Sequence, residues 1–153
     1  MRTLLHTSPA PAVLFIRLAV GCIFLSEGIQ KFLFPAELGA GRFAKIGIPA
    51  PEFFGPLVGT VEIICGVLVL LGLLTRLAVA PLLIIMLVAI STTKLAQLPE
   101  VGFWETAHGA RTDFAMLLCT LFLLVTGGGR WSVDQQLQKY QLNKPGKGVP
   151  RRV

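Results

Sequence analysis

The stretch Leu77-Ala-Val-Ala-Pro-Leu-Leu-Ile-Ile-Met-Leu-Val-Ala-Ile-Ser-Thr-Thr93 runs 17 residues without a charge. As a helix rising about 1.5 Å per residue it covers most of a bilayer's hydrocarbon core of ~30 Å. Three further apolar segments flank it. One runs roughly from Pro11 to Phe34, one from Pro56 to Leu74, and one from Asp113 to Gly127. The reading is an all-α membrane protein, an antiparallel bundle of four transmembrane helices near 11–34, 56–74, 77–95 and 113–127.

Composition agrees. Of the 153 residues, 54% are hydrophobic and 14% charged, and the mean hydropathy is +0.72. Soluble domains carry roughly 25% charged residues, so too few charges remain to coat a compact soluble body. Abundant apolar surface excludes disorder. Three cysteines do not make a disulfide framework. Arg2 followed by Ala10-Pro11-Ala12 resembles a secretory leader, but most of the apolar run follows that site, so the segment is read as a retained helix.

The net charge of +6 gathers at the C-terminal end, where residues 130–153 hold six cations and one carboxylate, Asp134. A basic stretch after a hydrophobic segment marks a cytoplasmic end facing anionic headgroups. No aromatic interleaving accompanies these charges, so nucleic acid is not an expected partner. The chain divides into a transmembrane domain, 1–134, and a basic cytoplasmic tail, 135–153. Eight loop and tail cations fall on the side of the termini and five on the other. Both termini are therefore expected in the cytoplasm, in a protein with several passes.

The connection from Lys31 to Gly55 is long and rich in phenylalanine. Pro35 can start a short helix in it and Gly47 can end one. It reads as an interfacial lid on the bilayer or as a hydrophobic loop packed on the bundle.

Ionisable groups inside spans cost about 2.5–3.5 kcal/mol each on insertion scales, so they need partners or a task. Glu27 and Lys31 lie at the outer end of the first segment and Glu62 at the outer start of the second. Lys94 ends the third, and Arg111 and Asp113 open the fourth. In an up-down bundle these groups share one depth, in the outer leaflet. Glu27 and Lys31, four apart, share a helical face. Gly59, Glu62 and Gly66 form a stripe that permits close helix approach. Two readings stand: an ion-pair network that pins the helices, or a polar binding chamber that also uses these charges. In the second, Glu27 and Glu62 are candidate proton-handling catalytic groups. Lys31, Lys94, His108, Arg111 and Asp113 are candidate ligand-binding groups, and Gln30, Ser91, Thr92 and Thr93 could join them. Arg17 lies apart, toward the inner half. It reads as a structural anchor that snorkels to the interface or binds helix-end carbonyls near Gly127 to Gly129.

Other motifs narrow the chemistry. Cys22, Cys65 and Cys119 form no Cys-x-x-Cys and read as small buried hydrophobes, although Cys22 and Cys65 fall at comparable depths and one pairing stays open. His6 and His108 are expected on opposite sides of the membrane, so neither haem nor a metal site is expected. No phosphate loop or nucleophile elbow is present.

The stretch Arg17-Leu-Ala-Val-Gly-Cys-Ile-Phe-Leu-Ser-Glu-Gly-Ile-Gln-Lys31 resembles the opening helix of the DoxX family. Gly47-Ile-Pro-Ala-Pro51, Glu62 and Gly72-Leu-Leu-Thr-Arg76 resemble its second block, and Gly127-Gly-Gly-Arg-Trp-Ser-Val-Asp134 its closing block. The resemblance implies a four-helix bacterial inner-membrane protein. Relatives include the membrane subunit of thiosulfate:quinone oxidoreductase and a mycobacterial member linked to a sulfurtransferase and a superoxide dismutase in oxidative-stress defence. By position it carries over Arg17, Glu27, Lys31 and Glu62, with Arg130 and Asp134 as anchors of the closing turn. Glu27 stands where relatives often have histidine, and Asp113 where glutamate is common.

The leading expectation is a quinone- or small-molecule-linked redox subunit, with quinone or lipid as ligand and electrons drawn from a bound cofactor or a partner redox or sulfurtransferase enzyme. The alternatives are a non-enzymatic scaffold that recruits a partner enzyme, and a small transporter working as a homo-oligomer.

Overall fold

The computed structural model describes residues 10–142. His6 and the end of the tail, residues 143–153, lie outside the described residues. The described chain is helical, with no strand among the described residues. Helix α1 spans Val13–Leu33, α2 Ala40–Lys45 and α3 Pro51–Leu71. Helix α4, Thr75–Ala89, runs into a π-helical stretch, Ile90–Leu95, and then into α5, Ala96–Val101. Helix α6 spans Phe103–Thr126 and α7 Val133–Leu142. Among the described residues, four helices are long and apolar enough to cross a membrane: α1, α3, the continuous α4–α5 unit and α6.

The spans form a ring in which α1 packs on α3, α3 on α4, α4 on α6, and α6 returns to α1. Val20, Val69, Val79, Leu82 and Leu123 are fully buried at its centre. Phe15, Leu77, Phe114 and Val125 point outward, an apolar coat that suits lipid. All three cysteines are free, with Cys65 buried and Cys22 on the outer face.

The tightest seam joins α1 to α3. A Cβ on Gly28 would stand 2.7 Å from the Gly59 carbonyl oxygen, and one on Gly21 would stand 3.0 Å from that of Gly66. Both pairs repeat after seven residues, so two antiparallel backbones meet face to face, as small residues permit. Glu62 sits on this seam, between Gly59 and Gly66.

The elements differ from the hydropathy reading at their ends. Helix α3 starts at Pro51 rather than near 56, because proline at the first helical position has no useful N–H to lose. Pro56 is accommodated inside it. The turn between the second and third spans is Gly72-Leu73-Leu74, with Gly72 and Leu74 at φ +66° and +48°, and the next helix begins at Thr75. The third span continues past Lys94 to Val101, and the fourth begins at Phe103 rather than near 113. Hydropathy marks where a helix leaves the apolar layer, whereas backbone hydrogen bonding carries it further. Gly102, at φ +80°, makes the reversal.

The turn Gly72–Leu74 belongs to a polar knot that closes one end of the bundle. Arg17, 3% exposed, donates from Nη1 to the Gly128 carbonyl at 2.7 Å and from Nη2 to that of Trp131 at 2.9 Å. The buried Asp134 carboxylate accepts from the backbone N–H groups of Leu74 at 2.7 Å and Thr75 at 2.9 Å. It thereby satisfies the orphan donors at the start of α4, where the helix dipole favours an anion. Ser132 donates to the Gly129 carbonyl and accepts from the Gln135 N–H, capping α7. A side chain at Gly72 would collide with the Arg17 guanidinium and with Ser132. Arg130 is exposed beside the knot.

Candidate functional site

The opposite end of the bundle is built differently. There the last turns of α1, the first turns of α3, the third span up to its π-helical stretch and the part of α6 around Asp113 surround one space. Its volume is about 690 Å³, within the 300–1,000 Å³ range typical of small-molecule sites. Most of the lining is apolar. Ile23 and Phe24 come from α1, Leu57, Val58 and Val61 from α3, Ile84, Ile85 and Met86 from α4, and Met116 from α6.

The connection between α1 and α3 supplies another wall, through Leu38, Arg42, Phe43, Ile46 and Ile48. Of the two readings of this segment, the structure has the loop packed on the bundle. Gly39 and Ala40 are buried, and a Cβ on Gly55 would stand 2.8 Å from the Ala40 nitrogen. Helix α2 is thus held down where a bare glycine lets two backbones touch.

The polar groups of the cavity lie in two places. Lys31 Nζ stands 2.6 Å from Glu62 Oε2 and 3.9 Å from Glu27 Oε2. Glu62 is 3% exposed, and its oxygen meets the lysine at ion-pair distance without the alignment of a hydrogen bond. Glu27 is about half exposed at the rim. Lys31 therefore bridges a buried carboxylate and an accessible one. Across the cavity, Lys94 Nζ stands 3.6 Å from Asp113 Oδ2, and both side chains are partly exposed.

The π-helical stretch that presents Lys94 has a local signature. Ser91, Thr92 and Thr93 each donate a hydroxyl to a carbonyl four residues back, in the turn where the helix widens to π geometry. Such back-bonding bends helices, and π-bulges often accompany functional sites. Thr92 and Thr93 line the cavity.

The structure brings together Glu27, Lys31, Glu62 and Asp113 on the cavity wall, with Lys94 paired to Asp113. It places His108 and Arg111 outside. They are exposed and hydrogen-bonded to one another along α6. Gln30 bonds Ser26 within α1, and Ser91 faces outward. Arg42 and Thr112 line the cavity without having been singled out from sequence. For Arg42 the available signal was its place among Phe43, Ile46 and Ile48, an apolar stretch that must bury one side.

An uncharacterized membrane protein of Mycobacterium tuberculosis is 58% identical over 89% of this chain and 87% of its own. A Bacillus subtilis protein named "Putative oxidoreductase CatD" is 32% identical over 85% of this chain and 90% of its own. An uncharacterized protein of Haemophilus influenzae is 29% identical over 82% and 90%. No solved structure matches. The DoxX family model matches residues 12–95, which hold α1 to α4 and every wall of the cavity but that of α6. With more than half of the chain matched to that model, this four-span membrane protein belongs to the DoxX family.

Proposed function

We propose that the chain is a redox membrane subunit that binds a quinone or similar lipophilic molecule in the cavity. The observation that carries this reading is the Lys31–Glu62 pair on the wall of an otherwise apolar space. An apolar pocket with a few convergent polar groups suits a ligand with a greasy body and one polar end. A quinone ring carbonyl can accept a hydrogen bond from Lys31 Nζ, which already stands between two carboxylates. Glu27, accessible at the rim, and Glu62, beneath it, then form a short route for protons to a reduced quinone oxygen. Electrons come from a partner protein. The printed name of the Bacillus relative supports redox chemistry without specifying a substrate.

The reading includes an orientation. Cations favour the side of Arg2, Arg76 and the tail, which puts both termini in the cytoplasm of a bacterial inner membrane and the cavity in the outer leaflet.

Lipid extraction and mass spectrometry of the purified protein test the proposal. Quinone is expected with the wild type, and about tenfold less with the double variant Lys31→Gln/Glu62→Gln. Removing both charges avoids stranding either one in the interior. Wild-type protein without quinone, or equal retention by both proteins, contradicts the reading.

A further inference from the structure

A second space of about 460 Å³ adjoins the cavity and shares Arg42, Ile46, Thr92 and Thr93 with it. Its chemistry is opposite. Arg42, Lys45 and Lys94 line it against one carboxylate, Glu100, whereas the main cavity carries the carboxylates Glu27, Glu62 and Asp113 against Lys31 and the shared Arg42. Lys94 is partly neutralised by Asp113, but Arg42 and Lys45 are exposed on α2. The joined spaces therefore offer a cationic mouth, an apolar middle and a far wall where carboxylates outnumber cations.

We propose that mouth and cavity together form a binding site for a single-chain anionic amphiphile. Its carboxylate or phosphate head lies among Arg42, Lys45 and Lys94, and its chain lies in the apolar middle. The charge arrangement sets the polarity. An anionic head is repelled by Glu27 and Glu62 and attracted to the mouth, where guanidinium and ammonium groups recognise carboxylate or phosphate. The hydroxyls of Thr92 and Thr93 are already turned to carbonyls of their own helix, so the cations are the recognising groups. A quinone lies the other way, with its head toward Lys31. The two ligands thus compete for the middle, and the amphiphile acts as an inhibitor of quinone entry. This inference rests on the cavity accepting an apolar ligand, and not on that ligand being a quinone.

The full chain in phosphatidylcholine nanodiscs, with cis-parinaric acid as a fluorescent long-chain carboxylate and empty nanodiscs as control, tests it. Palmitate is expected to displace the probe, methyl palmitate to be at least about tenfold weaker, and acetate to have no effect. Arg42→Gln/Lys45→Gln is expected to weaken probe binding about thirtyfold, roughly fivefold per cation. Both positions are exposed, so the fold should tolerate the change, and unchanged helical circular dichroism checks this. Equal binding of acid and ester, or an unaffected double variant, overturns the proposal. Displacement by acetate overturns it too, because the mouth is then a site for free anions. Lys45 lines the mouth and not the main cavity, so decylubiquinone affinity, measured on the wild-type chain and on Lys45→Gln, is expected to be the same within about twofold. If decylubiquinone binds neither chain while the carboxylate behaves as expected, the quinone reading fails and this one stands.

Discussion

At the closing end of the bundle, Arg17 and Asp134 direct their hydrogen bonds to backbone groups of the turns. At the open end, Lys31, Glu62, Lys94 and Asp113 face one another across gaps of 2.6 and 3.6 Å beside a cavity. Both ends place charges among apolar helices. The difference is what else could satisfy those charges. The Arg17 and Asp134 side chains are held where glycine leaves no spare room, so a ligand has nowhere to stand. The Lys31 ammonium lies on a cavity wall, where a ligand oxygen could take the place of a carboxylate. A buried charge is thus evidence of a ligand site only when unfilled space adjoins it.

Three substitutions sharpen that contrast. The largest effect is expected from Arg17→Met. It strands two carbonyls and removes a cation that interacts with the buried Asp134, and should lower stability by about 3–5 kcal/mol. Thermal unfolding in detergent measures this, and the surviving folded fraction should keep its quinone affinity. Glu62→Gln comes next. It should cost only about 1–2 kcal/mol, since Lys31 keeps Glu27 as a partner, while quinone affinity falls about tenfold. A stability loss as large as that of Arg17→Met would put both ends in the same structural class. The smallest effect is expected from Asp113→Asn. The Lys94 pair is partly exposed and loosely spaced, so less than about 1 kcal/mol is at stake, with quinone affinity changed less than about threefold. A larger change in affinity would move the polar focus of the site from α1 and α3 to α6.

Much of this arrangement could be read before the coordinates. The count of spans followed from apolar runs, and the gathering of Glu27, Lys31, Glu62, Lys94 and Asp113 at one end of the bundle followed from their places along those runs. Depth, however, does not give direction. His108 and Arg111 share the level of Asp113, but helix residues turn by about 100° each. Arg111 is two positions from Asp113 and His108 five, which places them roughly 160° and 140° away on the helix. Asp113 faces the cavity while they face out. Similarly, Gly59 and Gly66 marked a contact stripe on α3, but a stripe does not name its partner. Gly21 and Gly28 on α1 became its partners only when the antiparallel register was known. Arg42 lies in a connection without helical periodicity over its full length, so its approach to the cavity depended on how α2 docks.

The central claim is that the space beside Lys31 and Glu62 holds a lipophilic ligand. Photo-crosslinking of the membrane-embedded protein with an azido-quinone, followed by peptide mass spectrometry, tests it most directly. The account predicts label on α1 between Ile23 and Lys31 and on α3 between Leu57 and Glu62, suppressed by excess unlabelled quinone. Label confined to outward-facing residues such as Phe15, Leu77 and Val125, and insensitive to competitor, would contradict it.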